Sequence, residues 1–257
     1  MPQFQPRAAP AIGTLSLRED EVDVWFVRLD LSREPSDRDL QALPRSEAER
    51  AASMGEEPRR RFVAARSQLR SLLAAYLAAE PASIGFSYGG KGKPRLGGAH
   101  AASGIHFNLS HTGRRALVAV ARSPVGVDLE TVRPLGDTDR LARRILCDRE
   151  RRDLCKLPAT ARNSAFLACW TRKEAYAKAV GEGIVRTFRR FAVTLKPESE
   201  PALLREDGTR DPGWTILHVE PEAGVVGALA VRRADCSPRF WLVEAPETGR
   251  PTGPSPR

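Results

Sequence analysis

Two stretches, "RFVAARSQLRSLLAAY" (Arg61–Tyr76) and "AFLACWTRKEAYAKAV" (Ala165–Val180), repeat one pattern in the two halves of the chain. Phe62, Arg66 and Arg70 in the first stand at the spacing of Phe166, Trp170 and Glu174 in the second. Both have the apolar period of an amphipathic helix, and each is followed by strand-like segments. This internal echo predicts an α+β protein built from two similar α/β halves.

Outward from the first helix, "EVDVWFVRLDL" reads as a strand, with Val22, Val24 and Phe26 alternating against Asp23, Trp25 and Val27. "SDRDLQALPRSEAERAASM" is helical with a break near Pro44, and Pro58 opens the long helix that follows. "SIGFSYGGKGKPRL" is a strand running into a Gly/Lys loop. "GIHFNLSHTG" and "RALVAVARSPVGVDLE" read as consecutive strands with a turn at Arg122-Ser123-Pro124. Around the second helix, "DTDRLARRILCDRERRDLCKL" is helical, and the helix itself stops at Gly181. "FAVTL", "WTILHVE", "VVGALAV" and "FWLVE" are strand-like, with an exposed loop expected from Pro197 to Gly213. The expected division is a flexible arm over 1–18, an N-terminal half over 19–124, a C-terminal half over 125–244, and a disordered Pro-rich tail over 245–257.

The composition narrows the class. At 257 residues, 41% hydrophobic and 28% charged, the chain can bury a proper core. No run approaches the ~20 apolar residues of a membrane helix. The start, "MPQFQPRAAPAIGT", has no apolar signal region. The four cysteines lack C-x-x-C spacing and read as reduced thiols of a cytoplasmic protein, not a zinc site or disulfide frame. The net charge of +9, mainly from arginine, favours anionic partners, although an Arg-rich genome would produce it too. No helix-turn-helix, RNA-recognition or zinc-finger signature accompanies that charge, and aromatics are only 6%, which argues against a nucleic-acid binder.

Several short motifs could carry chemistry. In "VGVDLE" (Val125–Glu130), strand alternation puts Asp128 and Glu130 on one face with Gly126. Two carboxylates so placed repel unless a hard cation such as Mg²⁺ joins them, while a solvated strand end explains them as well. Leu167, Trp170, Glu174, Ala177 and Lys178 share one helical stripe, so Glu174 sits where an apolar residue is expected and needs a partner or a metal. Glu174 and Lys178 are also at the spacing of an ordinary helix salt bridge, and Trp170 reads as core. "GGKGKPRL" offers backbone N–H groups with Lys91 and Lys93, a phosphate cradle or a flexible hairpin tip, and is not a Walker A loop. In "FNLSHTG", Ser110 and His111 are adjacent and so point to opposite faces of an extended segment. With no G-x-S-x-G elbow, a hydrolase on Ser110, His111 and Asp128 is a poor reading; a loop holding polar groups of a ligand is a better one.

Together and in this order, "GKGKPRL", "FNLSHTG", "VGVDLE" and "WTRKEAYAKAVGEGI" resemble the 4′-phosphopantetheinyl transferases, most closely the monomeric type that activates polyketide and non-ribosomal peptide synthetases. The resemblance spans residues 20 to 235 by order of elements and is sharp in the four motifs. It implies a pseudo-symmetric α+β fold of two halves. It implies transfer of the phosphopantetheine arm of coenzyme A to a serine of an acidic acyl or peptidyl carrier protein, with adenosine 3′,5′-bisphosphate as the other product. Mg²⁺ is implied on Asp128, Glu130 and Glu174. Glu174 is implied as base for the carrier serine, with His111 an alternative, and Lys178 as a pyrophosphate contact. Gly92, Lys93 and Pro94, next to Lys91, match the adenine and phosphate loop, and Asn108, Ser110 and His111 the coenzyme A segment. Among Arg59, Arg60, Arg61 and Arg66, Arg61 is taken as the first-half phosphate ligand. A non-catalytic module binding coenzyme A or a carrier is the alternative, and the presence of all three acids and the lysines argues against it.

Overall fold

The computed structural model describes residues 4–9, 15–90, 92–181, 188–195 and 199–244. The strands are β1 (Arg7–Ala8), β2 (Glu21–Arg28), β3 (Gly85–Tyr88), β4 (Pro94–Gly97), β5 (His106–Thr112), β6 (Arg115–Ala121), β7 (Val125–Thr131), β8 (Ala192–Val193), β9 (Leu203–Leu204), β10 (Thr215–Val219), β11 (Val225–Val231) and β12 (Ser237–Val243). The helices are α1 (Asp37–Gln41), α2 (Arg45–Ala52), α3 (Glu56–Leu77), α4 (Thr138–Ile145), α5 (Asp148–Cys155) and α6 (Ala159–Val180).

The strands form a five-stranded sheet in the order β1-β12-β2-β6-β5 and a three-stranded antiparallel sheet in the order β10-β11-β7, with two small hairpin-like pairs, β3-β4 and β8-β9. The alternation of the strands dictates the layers. Val22, Val24 and Phe26 of β2 and Leu117, Ala119 and Ala121 of β6 face Val125, Val127 and Leu129 of β7 and Leu229 and Val231 of β11 in one apolar seam between the two sheets. The opposite face of the large sheet, with Trp25, Val27, Val118 and Val120, packs on Leu69, Leu72 and Leu73 of α3. The opposite face of the small sheet, with Ala228 and Ala230, packs on Ala165, Phe166, Cys169 and Ala175 of α6. The result is helix, sheet, sheet, helix.

Several expectations are met locally. The break at Pro44 separates α1 from α2, and α6 ends on Gly181 with φ 83°. Others are corrected. The long helix begins at Glu56, so Pro58 lies in its first turn, where a missing N–H loses no bond. "FAVTL" yields only the two residues of β8, and the loop expected to be exposed after it contains the strand β9 and buried Ala202 and Leu203. Within the arm read over 1–18, Arg7 and Ala8 pair in parallel with Trp241 and Leu242 of β12, and Leu17 is buried. β12 itself, near the end of the chain, lies beside β2 in the large sheet. It is held there by Asp23, which is 1% exposed and accepts bonds from Arg239 (Nε, 2.6 Å), Trp241 (Nε1, 2.8 Å) and the Tyr76 hydroxyl. The tail over 245–257 lies outside the described residues.

Candidate active site

The site forms where β5, an edge of the large sheet, runs beside β7, an edge of the small one, under the last turns of α6. In β5, Phe107 and Leu109 turn into the α3 core, which leaves Asn108, Ser110 and Thr112 facing β7. Asn108 Oδ1 accepts the backbone N–H of Val127 at 2.9 Å, and the hydroxyls of Thr112 and Thr131 are 3.3 Å apart. These bonds splice the two sheet edges. Between them, Ser110 Oγ donates to Asp128 Oδ1 at 3.0 Å.

The β7 face carrying Gly126, Asp128 and Glu130 meets α6 because Gly126 lets the helix backbone come close. A Cβ built at Gly126 would lie 2.1 Å from the carbonyl oxygen of Ala175 and 2.4 Å from the nitrogen of Ala179. Asp128 and Glu130 are then set against Lys178, Glu174 and Trp170. Lys178 Nζ lies 2.6 Å from Asp128 Oδ1 and 3.1 Å from Ser110 Oγ. Trp170 Nε1 donates to Glu130 Oε1 at 3.2 Å. The salt bridge anticipated within the helix is therefore made instead to the strand: Lys178 pairs with Asp128.

The carboxylates are strained electrostatically. Asp128 and Glu174 are both 4% exposed, and one oxygen of each, Asp128 Oδ2 and Glu174 Oε2, is buried without a hydrogen-bond partner. Burial first, and then the charges of Asp128 and Glu130 against the relief of Lys178, push Glu174 up to about 7. Glu130 is raised above its ordinary value by burial and by Asp128. Orphaned, mutually repelling oxygens are what a hard cation relieves, so the donor chemistry fits Mg²⁺. Even so, among the described residues no three His, Cys, Asp or Glu side chains form a cluster ready to hold a metal as they stand. The Lys178 ammonium takes Asp128 Oδ1, and the Trp170 indole takes Glu130 Oε1.

The other candidates divide. His111 follows Ser110 on β5 and is held below its ordinary pKa by desolvation of the ring, then by the charges of Arg61 and Lys178. Arg61 pairs with Glu57 at 2.5 Å and keeps its Nε buried without a partner, whereas Arg59 and Arg60 bridge to Glu34 and Arg66 to Glu47. Lys93 differs from expectation. Its Nζ donates to the carbonyls of Val125 (3.1 Å) and Ala179 (3.0 Å), so it ties the β3-β4 hairpin to the start of β7 and the end of α6. Burial and Arg95 lower it to about 8. Gly92, with φ 79°, makes the hairpin turn, and Pro94 begins β4; Lys91 lies outside the described residues. Pro94 and Lys93 line a cavity of about 430 Å³ with Arg95, His106, Phe107 and Trp214.

Sequence reasoning missed two roles. Trp170, read as core, is the hydrogen-bond donor to Glu130; its place one turn before Glu174 on the same stripe was the available signal. Lys173, within the same motif, is 0% exposed and bonds both oxygens of Glu150 at 2.8 Å and the carbonyl of Phe191 at 2.7 Å. It braces α5 and β8 against α6 and stands apart from the site.

The chain as a whole is similar to known proteins. Residues 124–230, which hold β7, α6 and β11, match the model of the 4′-phosphopantetheinyl transferase superfamily. The chain is 40% identical over 235 residues to the 4′-phosphopantetheinyl transferase HetI of Nostoc sp. (strain PCC 7120 / SAG 25.82 / UTEX 2576), covering 90% of this chain and 96% of that protein. It is 30% identical over 214 residues to a phosphopantetheinyl transferase of Thraustochytrium sp. (strain ATCC 26185 / S-3), covering 76% and 73%. It is 31% identical over 140 residues to a 4′-phosphopantetheinyl transferase of Bacillus subtilis, covering 54% and 60%. An α+β chain with this acid and lysine arrangement, related over nearly its full length to such enzymes, belongs to the 4′-phosphopantetheinyl transferase family.

Proposed function

We propose that this transferase moves the 4′-phosphopantetheine group of coenzyme A to a serine of an apo acyl or peptidyl carrier protein in a Mg²⁺-dependent reaction. The products are holo carrier protein and adenosine 3′,5′-bisphosphate. The observation that carries the reading is the meeting of Asp128, Glu174, Lys178 and Ser110 between β5, β7 and α6, with two buried carboxylate oxygens left unpartnered.

Asp128 and Glu174, with Glu130, would hold the cation. Once bound, Mg²⁺ would polarise the pyrophosphate and offset charge on the departing bisphosphate. Lys178 contacts the same pyrophosphate. In the transfer, the serine oxygen bonds to the phosphorus that carries the pantetheine arm, and the bond from that phosphorus to the bridging oxygen breaks, leaving with the bisphosphate. The serine proton goes to Glu174, through an oxygen that the cation leaves free. His111 and Arg61 face the nucleotide's phosphate, Asn108 and Ser110 fix the edge on which it lies, and the turn at Gly92 to Pro94 borders the adenine. The +9 charge draws an acidic carrier. Both halves of the site come from one chain, which supports a monomer. We also propose that residues 19–124 and 125–244 are pseudo-symmetric halves. Helices of 22 residues, α3 and α6, each on the outer face of a sheet, support this.

The test is the intact mass of an apo carrier protein after incubation with this protein, coenzyme A and Mg²⁺. A gain of about 340 Da, the mass of the covalent phosphopantetheine group, that is lost with EDTA is expected. Asp128→Asn and Glu174→Gln should each slow the gain at least ~100-fold, the lower range for removal of a general base, at unchanged thermal stability at low pH. No gain on any carrier class, with coenzyme A still bound, would replace this reading by a non-catalytic binding module.

A further inference from the structure

Lys178 Nζ sits 2.6 Å from Asp128 Oδ1, on the carboxylate that a divalent cation would need. Its second bond, 3.1 Å to Ser110 Oγ, fixes it between the two sheet edges. The side chain of Asp128 is 6% exposed and that of Lys178 is 24% exposed. The carboxylate is thus fixed in the interior, while the ammonium is at the end of a flexible stem that reaches solvent. An ammonium and a dication sharing one carboxylate repel each other strongly in so dry a place. A pyrophosphate beside them changes the balance, because it offers the ammonium a second anionic partner.

On the reading of Asp128 and Glu174 as cation ligands, we propose that Lys178 is a built-in counter-ion that opposes the divalent cation at Asp128 until the pyrophosphate of coenzyme A draws it off. Cation and coenzyme A then bind cooperatively. The coupling is reciprocal by linkage: whatever factor coenzyme A adds to cation affinity, the cation adds to coenzyme A affinity. Ser110 is a positioning residue here, because its hydroxyl holds both the ammonium and Asp128 Oδ1.

The experiment is calorimetric titration of Mg²⁺ into the full chain, with and without coenzyme A, in the absence of carrier so that nothing turns over, and with binding of the ion to free coenzyme A subtracted. In the wild type, coenzyme A should tighten Mg²⁺ binding by a factor in the range of roughly 5–150 typical of coupled sites. Lys178→Met should bind Mg²⁺ roughly tenfold more tightly without coenzyme A, within that same range, and its coupling factor should fall toward one. Lys178→Gln, also neutral but polar, should behave likewise if the methionine variant is unstable. Lys178→Arg should keep the weak cation binding. If both neutral variants bind Mg²⁺ no more tightly than wild type while coenzyme A binding weakens, Lys178 is only a phosphate ligand and the inference is overturned. If Asp128→Asn retains wild-type Mg²⁺ affinity, the metal-site reading itself has failed. Loss of Mg²⁺ binding in Asp128→Asn together with tightening in Lys178→Met supports both.

Discussion

Glu174 is a carboxylate placed where a helix facing a sheet would ordinarily put an aliphatic side chain, and its cost can be measured. Its pKa is raised from the ordinary 4.5 to about 7, chiefly by burial. Below pH 4.5 the group is protonated in both native and unfolded chains and contributes no difference. Between 4.5 and about 7 the unfolded chain gives up the proton while the native chain keeps it, so stability falls as pH rises through that window. Above it the whole penalty is present, on the order of 3 kcal/mol at about 1.4 kcal/mol per pH unit. Glu174→Gln should therefore flatten the fall in stability between pH 5 and 8 and be the more stable protein at pH 8, in urea unfolding at matched salt. Added Mg²⁺ should stabilise the wild type at pH 8 and leave Glu174→Gln nearly unmoved. A wild-type stability that is level across this range would contradict the buried, unpartnered state of the carboxylate. That state was legible in the chain, because Leu167 and Trp170 mark the same stripe as packed. The position of Lys93 was not. Glycines and lysines at a hairpin tip fit a phosphate cradle, and nothing local says that the ammonium will bond the carbonyls of Val125 and Ala179, which are distant in sequence.

Among the elements, the pairing of β7 with α6 controls the site, and Gly126 controls the pairing. A methyl group there would meet helix backbone at 2.1 and 2.4 Å, and backbone within a packed helix has little room to yield. Gly126→Ala should thus cost at least the ~1–3 kcal/mol typical of overpacking. It should also slow transfer by displacing Glu174 and Lys178 from Asp128. Thermal melting and carrier modification would be measured together: an unchanged melting temperature with full activity would show that the close approach is not required. The strands themselves were readable, since β2, β5, β6, β7 and β11 all alternate or run apolar at their own period. Short elements were less so. β8 and β9 have two residues each, too few for any period to show, and β8 is held from distant parts of the chain: Glu150 accepts the Val193 N–H, and Lys173 and Arg172 donate to the flanking carbonyls of Phe191 and Thr194.

At the scale of the molecule, the region matching the family model, 124–230, holds the acids and α6 yet omits half of the core that supports them. Val125, Val127 and Leu129 line β7 on the side away from α6, and their partners are Val22, Val24 and Phe26 of β2, Leu117 of β6 and Phe240 of β12. Ser110 and Asn108, which hold Asp128 and the β7 backbone, also lie outside that region. The chain crosses this boundary again at its end, where β12 returns to pair in parallel with β2. Such a return has no local signature: strand propensity in "FWLVE" says that a strand forms, and not which sheet receives it. The cue lay in Asp23, an acid within an apolar strand, which Arg239 and Trp241 satisfy only if β12 lies beside it. Two consequences can be tested. Residues 124–230 expressed alone should remain unfolded or aggregate, because one face of their sheet is an uncovered apolar seam. In the full chain, Arg239→Ala should leave the buried Asp23 carboxylate with only its Trp241 and Tyr76 donors and destabilise the fold, by less than the ~3–5 kcal/mol of a fully buried pair because Arg239 is itself partly exposed. Asp23→Asn in the same background should recover part of that loss, since removing the stranded charge removes most of the penalty. Urea unfolding of the two variants decides it: if Arg239→Ala alone is as stable as the wild type, the terminal strand is an accessory, and the seam between the sheets closes without it.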